Sequence, residues 1–448
     1  MDRHTVEPQV ETVPGQRAKR WAEYHHQFAA PSTYVYEFVW DASADAIGPF
    51  CTDVDGNVLL DFTSHVAAAP LGYNNPHLRE KLEAFDLVDP SKIAGQDFYV
   101  SNGGSPTDTD LPGPSQLMDR LLETVDQYDM DRIFLSNSGA EAVENAIKIC
   151  YAGGGHRAFT FDGAFHGRTL GALSLNRSKA VHRTGYPEVP GVVALPYPST
   201  DEEYETNWRT DGPGGNVLAD KLHPERGVID PDEVAYVILE PIQGEGGYRP
   251  AHPAFARDLE TLRHRYDLRV VADEIQSGLG RTGELWAVDH LELTPDVITS
   301  AKGLRVGATI SRSDVFPEEE SRISSTWGAG DIVGALQGAL TLEVLQETDV
   351  LSNVRDRGED LRARLEDEVD ARPELLEVRG RGLMLAVEFD TKTRRDDVLE
   401  AAFRRGLLTL GCGYKTLRLL PPLDVTAREI DLGMELLCEA IDEVTSTA

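Results

Sequence analysis

The stretch of sequence that decides the fold is VVADEIQ, residues 270–276. Its apolar, β-branched run stops at Asp273, which is the pattern of a buried parallel strand that ends in a carboxylate. A second run, DVIT at residues 296–299, is followed closely by Lys302. The chain has nine lysines, and Lys302 is the only one between residues 222 and 391. An isolated lysine and an acid, each just beyond a strand, call for a chemical explanation.

The two side chains have the chemistry that an aldehyde cofactor requires. A lysine amine can condense with an aldehyde to form a Schiff base, and an acid can keep a ring nitrogen protonated and electron-withdrawing. Pyridoxal phosphate needs both groups, so Lys302 and Asp273 predict this cofactor. Each residue alone is equally compatible with a surface lysine or a turn-capping acid, and the surrounding sequence decides between these interpretations.

The surrounding sequence carries a long signature. It reads ADEIQSGLGRTG at residues 272–283 and continues with LWA at 285–287, PD at 295–296 and then Lys302. In these residues the chain resembles the class III aminotransferases, which are pyridoxal phosphate enzymes of fold type I. Weaker matches extend over about residues 52–431. The resemblance implies an α/β fold that has a large, mostly parallel sheet domain and a smaller α+β domain.

The length of the chain sets the expected number of domains. At 448 residues it exceeds the size of one hydrophobic core, so two domains are expected. We predict an N-terminal segment that packs with the small domain at residues 1–62, a large cofactor-binding domain at 63–325 and a C-terminal small domain at 326–448. The hydrophobic content of 41% fits a globular protein.

The formal net charge of −33 is the most unusual feature of the composition. The acids are spread along the chain, and a negative surface repels phosphate backbones, so we expect no nucleic acid partner. Scarce lysine and abundant acid suit a protein that stays soluble in concentrated salt. We therefore expect a halophilic source, with an acidic protein from a source of ordinary salinity as the alternative.

Export and membrane signals are absent from the sequence. No stretch approaches eighteen consecutive apolar residues, and the polar start, Met1 to Arg20, lacks the apolar core of a secretory signal. The four cysteines show neither pairing nor metal-ligand spacing, so we expect reduced thiols. These features predict a cytoplasmic protein with no membrane partner and no metal.

A strand, a small-residue turn and a helix start make a candidate phosphate site. The apolar run at residues 133–135 leads into Ser138, Gly139 and Ala140, after which a helix is predicted. Backbone N–H groups and the positive end of the helix dipole converge at such a start. The resemblance implies that these three residues hold the cofactor phosphate.

The next predicted strand, residues 158–161, is followed by Phe165, His166 and Arg168. A flat phenylalanine ring is suited to stack on a pyridine face, although Phe165 alone is as compatible with an ordinary core position. The resemblance places His166 beside the cofactor in a supporting role. It also matches Arg168 to the arginine that holds a substrate carboxylate in relatives that use 4-aminobutyrate or ornithine.

Two further residues form a predicted gate for substrate carboxylates. Glu245 follows a buried strand that begins at Val234, and Arg418 lies in TLRLLPPL, residues 416–423. The resemblance implies that Glu245 pairs with Arg418 until a substrate carboxylate displaces it. One guanidinium would thereby serve two substrates.

The resemblance also assigns the remaining cofactor contacts. Ile275 packs against the ring face opposite the phenylalanine, and Gln276 bonds the ring hydroxyl. Thr326 reaches the phosphate from the neighbouring subunit, which implies a homodimer and leaves a higher oligomer open. The compact stretch at residues 303–308 and the tryptophan Trp327 differ from most relatives and are closer to the lysine 6-aminotransferase branch.

The expected reaction transfers the amino group of an ω-amino acid to a 2-oxo acid, with 2-oxoglutarate as the expected acceptor. Lys302 would hold the cofactor and move the proton, while Asp273 would support the ring. The donor stays open among lysine, ornithine, acetylornithine and 4-aminobutyrate. An amino-acid racemase of the same fold and a cofactor-free binding protein also stay open. A dehydrogenase is disfavoured because no glycine-rich dinucleotide fingerprint follows a predicted strand.

Overall fold

The computed structural model describes most of the chain, namely residues 1–32, 38–83, 104–107, 112–324 and 331–446. Thr326 and Trp327 lie outside the described residues. The chain divides into two compact units: unit 1 consists of Met1–Arg79 and Ser352–Ala448, and unit 2 of Glu80–Leu351. The domain boundaries expected from the sequence, at 62/63 and 325/326, stay a prediction.

The strands and helices are numbered in chain order over the described residues. The strands are β1 (Phe50–Thr52), β2 (Val58–Asp61), β3 (Arg132–Ser136), β4 (Arg157–Phe161), β5 (Val192–Leu195), β6 (Val234–Leu239), β7 (Ile242–Gln243), β8 (Arg249–Pro250), β9 (Val270–Asp273), β10 (Val297–Ser300), β11 (Gly307–Ser311), β12 (Leu375–Arg381), β13 (Met384–Phe389), β14 (Leu407–Leu408), β15 (Leu410–Cys412) and β16 (Thr416–Leu419). The helical segments are α1 (Gln16–His26), α2 (Ser64–Ala67), α3 (Pro76–Glu83), α4 (Pro114–Glu123), α5 (Gly139–Ala152), α6 (Leu170–Leu175), α7 (Asp201–Glu203), α8 (Val217–Lys221), α9 (Pro253–Tyr266), α10 (Ile332–Glu347), α11 (Val350–Ala371), α12 (Lys392–Arg404) and α13 (Ala427–Ser446).

Unit 2 is built on a seven-stranded sheet in the order β3-β11-β10-β9-β6-β4-β5. The strands β10, β9, β6, β4 and β5 pair in parallel, whereas β11 runs antiparallel to both β10 and β3. Every residue of β9 and β10 is buried, as expected for parallel strands covered on both faces. Helix α5 contributes Val143, Ala146 and Ile149 to a core cluster that also contains Ile238 and Val271. The sheet therefore places the carboxyl ends of β3, β4, β6, β9 and β10 at one edge.

Unit 1 contains two smaller sheets, in the orders β1-β2-β14 and β12-β13-β16-β15. The hairpin predicted around the turn Asp55-Gly56-Asn57 is confirmed, since β1 and β2 pair antiparallel with Phe50 opposite Leu60. Strand β14 joins β2 in parallel, so residues from both ends of the chain share this sheet. The second sheet is antiparallel and carries Arg418 on β16. With α11, α12 and α13 these strands form a small α+β unit.

The predicted α/β fold is confirmed. The strands expected at residues 133–135, 158–161, 270–273 and 296–299 agree within one residue with β3, β4, β9 and β10. The helix expected from about Ser115 begins at Pro114. Within the described part of the chain, no helix combines the length and apolar character needed to cross a membrane.

Candidate active site

The predicted cofactor residues lie on segments that leave one edge of the seven-stranded sheet. Strands β3, β4 and β10 lead into residues 138–140, residues 165–166 and Lys302, respectively, and β9 ends at Asp273. Parallel strands collect such residues because their carboxyl ends face the same side, where α/β sheets bind ligands. The topology therefore brings together residues that are up to about 160 positions apart in the sequence.

Asp273 and His166 form a buried pair. His166 Nδ1 lies 2.7 Å from Asp273 Oδ2, and the two residues are only 2% and 4% exposed, respectively. The other carboxylate oxygen, Oδ1, accepts the Ile275 N–H at 3.1 Å. These contacts fix the Asp273 carboxylate without occupying all of its acceptor capacity. His166 therefore lies beside Asp273, where it can support the carboxylate.

Asn176, which sequence reasoning did not single out, holds the backbone around His166. Its Oδ1 accepts the His166 N–H at 2.6 Å, and its Nδ2 donates to the Gly167 carbonyl at 2.7 Å. Asn176 is fully buried, and both the oxygen and the nitrogen of its side-chain amide bond this one loop. It therefore sets the direction in which His166 leaves the backbone.

The start of α5 lies close to Ile275. Ser138 caps the helix, since its Oγ accepts the Glu141 N–H at 3.2 Å. The Ile275 side chain packs against Gly139, where an added Cβ would lie 2.8 Å from Ile275 Cδ1. The residue predicted for the ring face and the residues predicted for the phosphate are therefore neighbours, and a larger residue at Gly139 would displace the Ile275 side chain.

Lys302 follows β10 directly beside the strand that carries Asp273. The register places Thr299, three residues before Lys302, opposite Asp273. The Glu274 N–H also donates to the Thr299 carbonyl at 2.9 Å. Lys302 is partly buried and has a φ of 44°, so the chain turns sharply where the lysine leaves the strand. The predicted amine and acid therefore project from adjacent strand ends.

Several buried polar atoms near these residues have no hydrogen-bond partner in the described part of the chain. They are His166 Nε2, Gln276 Oε1, Thr299 Oγ1 and Ser300 Oγ. Buried polar groups are normally paired, so such atoms indicate a place where a polar ligand belongs. Together with the amine, the acid and the helix start, they fit the polar groups of pyridoxal phosphate.

Two other buried carboxylates belong to this edge. Glu240 follows β6, Glu274 follows β9, and burial raises the pKa of each to about 7. Glu274 accepts the Ser277 hydroxyl at 2.6 Å and the Val288 N–H at 2.7 Å. Glu240 accepts backbone N–H groups from the two loops that carry Phe165 and Glu245. An acid after an apolar run was the signal that located Asp273, and the same signal marks Glu240.

The residues predicted to contact the substrate are spread over both units. Arg168 is exposed and the Phe165 ring is partly buried in unit 2, where Glu245 Oε2 lies 3.5 Å from Lys179 Nζ. Arg418 is buried in unit 1, on β16 between Ala386 and Leu410. The pairing of Glu245 with Arg418 stays a prediction, as does the reach of Thr326, which lies outside the described residues.

A mostly parallel sheet whose carboxyl edge presents a lysine, an acid and a small-residue helix start defines the class of the pyridoxal phosphate enzymes of fold type I. The family model described as Aminotransferase class-III matches residues 39–441. Acetylornithine aminotransferase from Synechocystis sp. is 33% identical over 420 residues, which cover 89% of this chain and 89% of that protein. Alanine/serine racemase from Pyrococcus horikoshii is 30% identical, and the match covers 96% of this chain and 91% of that protein.

Solved structures agree with this assignment. Lysine aminotransferase from M. tuberculosis matches with a TM-score of 0.80 and 26% identity, and the match covers 95% of this chain and 99% of that chain. The chain belongs to the class III aminotransferases. It is therefore an enzyme of amino group transfer, and pyridoxal phosphate is the cofactor of this family.

Proposed function

We propose that this aminotransferase moves the amino group of an ω-amino acid to a 2-oxo acid, with 2-oxoglutarate as the acceptor. The observation that carries the proposal is the pair of adjacent strand ends that present Lys302 and Asp273, the latter bonded to buried His166. The relatives that act on acetylornithine and lysine support an amino donor whose reacting nitrogen is distant from its α-carboxylate.

Lys302 and Asp273 perform the central proton chemistry. When bound, pyridoxal phosphate supplies an aldehyde carbon and an electron-withdrawing ring that makes a neighbouring C–H bond acidic. Lys302 would hold the cofactor, and its Nζ would take a proton from the donor carbon and, in the second half-reaction, deliver one to the acceptor carbon. Asp273 accepts the ring N–H, and His166 keeps the carboxylate in one orientation.

The other cofactor contacts position the ring and the phosphate. The N–H groups at Ser138, Gly139 and Ala140 bind the phosphate at the start of α5. Phe165 and Ile275 would pack on opposite ring faces and exclude water. Gln276, whose buried Oε1 has no partner among the described residues, bonds the ring hydroxyl.

Three charged residues select the substrates. Arg168 binds the distal carboxylate of the ω-amino acid, because an exposed guanidinium offers two parallel N–H donors. Arg418 binds the α-carboxylate of the 2-oxo acid after Glu245 moves away from it. Exchange of one carboxylate for another lets a single site accept a donor and an acceptor of different shape.

The enzyme acts as a homodimer in which Thr326 reaches the cofactor of the neighbouring subunit. Support comes from α1, where Trp21, Tyr24 and the following Phe28 form an exposed aromatic row that is accompanied by Arg17 and Lys19. A basic, aromatic face on a chain of net charge −33 complements the surface of a second copy. Sedimentation of the wild type and of Phe28→Ser tests this interface, and the variant should dissociate more readily. A variant that stays as dimeric as the wild type would contradict the interface.

We further propose a cytoplasmic enzyme from a halophilic source. All four cysteines are free thiols and three of them are buried, which suits a reducing compartment. The net charge of −33 suits concentrated salt, because screening reduces the repulsion between acids. Activity should therefore rise steeply between low salt and molar potassium chloride, and full activity after dialysis to low salt would contradict the proposal.

A donor panel tests the reaction. The purified enzyme, loaded with pyridoxal phosphate, is incubated with 2-oxoglutarate and lysine, ornithine, acetylornithine or 4-aminobutyrate, and glutamate is measured. At least one donor should yield glutamate at a rate well above that with alanine. The competing function is amino-acid racemisation, which the Pyrococcus horikoshii relative supports. Conversion of L-alanine or L-serine to its mirror image without any oxo acid, and no glutamate from the panel, would establish that alternative.

A further inference from the structure

Glu240 is a buried carboxylate that connects two loops of unit 2. It directly follows β6 and is 7% exposed. Its Oε1 accepts the Phe165 N–H at 2.9 Å, and its Oε2 accepts the Gly244 N–H at 2.8 Å. One side chain therefore holds the backbone of both loops, with one oxygen for each.

Each loop carries part of the proposed site. Phe165 is the predicted ring-stacking residue, and the next residue, His166, bonds Asp273 at 2.7 Å. Gly244 directly precedes Glu245, the predicted gate. A Cβ at Gly244 would lie 2.8 Å from Gln276 Oε1, so this loop is also packed against the segment that follows Asp273. A shift of the Phe165 loop would displace cofactor contacts, and a shift of the Gly244 loop would displace both Glu245 and the packing against Gln276.

We propose that Glu240 is a positioning residue that couples the cofactor end of the site to the carboxylate gate at Glu245. The proposal rests on the proposed function of Glu245 and assigns Glu240 no contact with the substrate. If Glu240 no longer accepts both backbone hydrogen bonds, we expect cofactor affinity and 2-oxo acid recognition to weaken together, and not stability alone.

The chemistry of the site requires a carboxylate. Because burial raises the pKa of Glu240 to about 7, the variants are compared at about pH 8.5, where the ionised carboxylate accepts at both oxygens. Glutamine would turn an NH₂ group towards one of the two backbone N–H donors. Bonds to charged acceptors are the stronger ones, and a buried N–H that loses its partner stays desolvated. The Glu240 backbone is itself held, since the Tyr197 hydroxyl donates to its carbonyl at 2.7 Å.

Glu274 provides a matched control one strand away. It is also buried, it accepts hydrogen bonds from Ser277 and Val288, and its pKa is likewise raised to about 7 by burial. Its donors, Ser277 and Val288, belong to neither the Phe165 loop nor the Gly244 loop. The same chemical change at Glu274 therefore reports the general cost of altering a buried carboxylate.

The experiment compares Glu240→Gln and Glu274→Gln in the full-length holoenzyme. Pyridoxal phosphate affinity is measured by titration of the dialysed protein with absorbance detection, and KM is measured separately for the amino donor and for 2-oxoglutarate. We expect Glu240→Gln to weaken cofactor affinity about tenfold and to raise the KM for 2-oxoglutarate about tenfold, because each loop loses or distorts one bond to a charged acceptor. The donor KM should change less than threefold, and Glu274→Gln should lower the thermal midpoint without either effect.

A double variant distinguishes failure of this inference from failure of the proposed function. In Glu245→Gln, the additional change Glu240→Gln should leave the KM for 2-oxoglutarate where Glu245→Gln has put it, while cofactor affinity still falls. If Glu240→Gln does not fold, Glu240→Asp takes its place, because the shorter side chain keeps the charge but reaches only one of the two N–H groups. It should show smaller changes in the same two quantities, cofactor affinity and the KM for 2-oxoglutarate. A Glu240 variant that behaves like Glu274→Gln, or that changes cofactor affinity alone, overturns the coupling. Absence of transamination in the wild type contradicts the proposed function but leaves the affinity comparison readable.

Discussion

The carboxyl edge of the seven-stranded sheet in unit 2 and the turn α2 in unit 1 obtain their geometry in different ways. At the sheet edge, the functional residues lie at or just beyond strand ends, and the strand order brings Asp273 and Lys302 to adjacent ends. In α2, Ser64 Oγ donates to the Leu420 carbonyl at 2.6 Å, and the Leu420 N–H donates to the Phe62 carbonyl at 2.7 Å. The first region is determined by local sequence and sheet pairing, the second by hydrogen bonds across some 350 residues.

The turn α2 also concentrates more backbone strain than the sheet edge, where Lys302 has a φ of 44°. Its four residues, Ser64–Ala67, have φ angles of 44°, 51°, 60° and 69°, so four consecutive residues other than glycine are left-handed. Each such residue costs about 1–2 kcal/mol relative to a right-handed one. A chain of hydrogen bonds compensates, in which the Tyr73 hydroxyl donates to Asp61 at 2.8 Å and lies 2.9 Å from His65 Nε2. Leu420 lies two residues beyond Arg418, so this fixed turn is part of the proposed substrate end.

The largest expected effect tests the sheet edge. Lys302→Ala removes the amine proposed to bond the cofactor covalently and to move the proton, so turnover should fall by at least about 10³-fold. The visible absorbance of the bound cofactor should change at the same time, while the thermal midpoint of the dialysed protein stays close to that of the wild type. Retained turnover with an unchanged spectrum would remove Lys302 from its role. Lys221→Ala is the matched control, since that lysine ends the short helix α8.

The two regions differ equally in how far the sequence predicts them. The strand ends at Asp273 and Lys302 were predictable, because an apolar run that stops at a polar residue identifies both the strand and its functional end. The start of α5 was predictable for a similar reason, since small residues between a strand and a helix leave room for an anion. Glu240 carried the same signal, but an acid beside a glycine-rich turn is usually a turn former.

Other contacts left no local signal. Asn176 binds the backbone of His166 and Gly167 across a loop, and nothing in its own neighbourhood distinguishes it from an ordinary surface asparagine. The left-handed turn of Ser64 was equally invisible, because Ser-His-Val-Ala contains no glycine that would indicate positive φ. Its conformation is set by Leu420, a contact that only the folded chain provides.

A pair of glycine substitutions sharpens the comparison. A Cβ at Gly307 would lie 2.3 Å from the Ser138 carbonyl oxygen, and a Cβ on Gly358 of α11 would lie 2.6 Å from the backbone of Gly382. Both changes should destabilise the fold by about 1–3 kcal/mol because the backbone must move. Only Gly307→Ala should also weaken binding of pyridoxal phosphate, by about tenfold, since Ser138 caps the helix proposed to hold the phosphate. Equal cofactor affinity in the two variants, measured by titration, would show that the start of α5 does not bind the cofactor phosphate.

The smallest expected effect concerns the turn of unit 1. Ser64→Ala removes the hydroxyl that donates to the Leu420 carbonyl, and the loss of one buried hydrogen bond should lower the free energy of unfolding by about 1 kcal/mol. Because Leu420 follows Arg418 so closely, the KM for 2-oxoglutarate should rise a few-fold while the donor KM stays constant. Thr445→Ala is a suitable control in the same unit, because its hydroxyl donates to the Ile441 carbonyl at 3.0 Å within α13. Equal KM values for Ser64→Ala and the wild type would show that the strained turn supports the fold of unit 1 and does not direct Arg418.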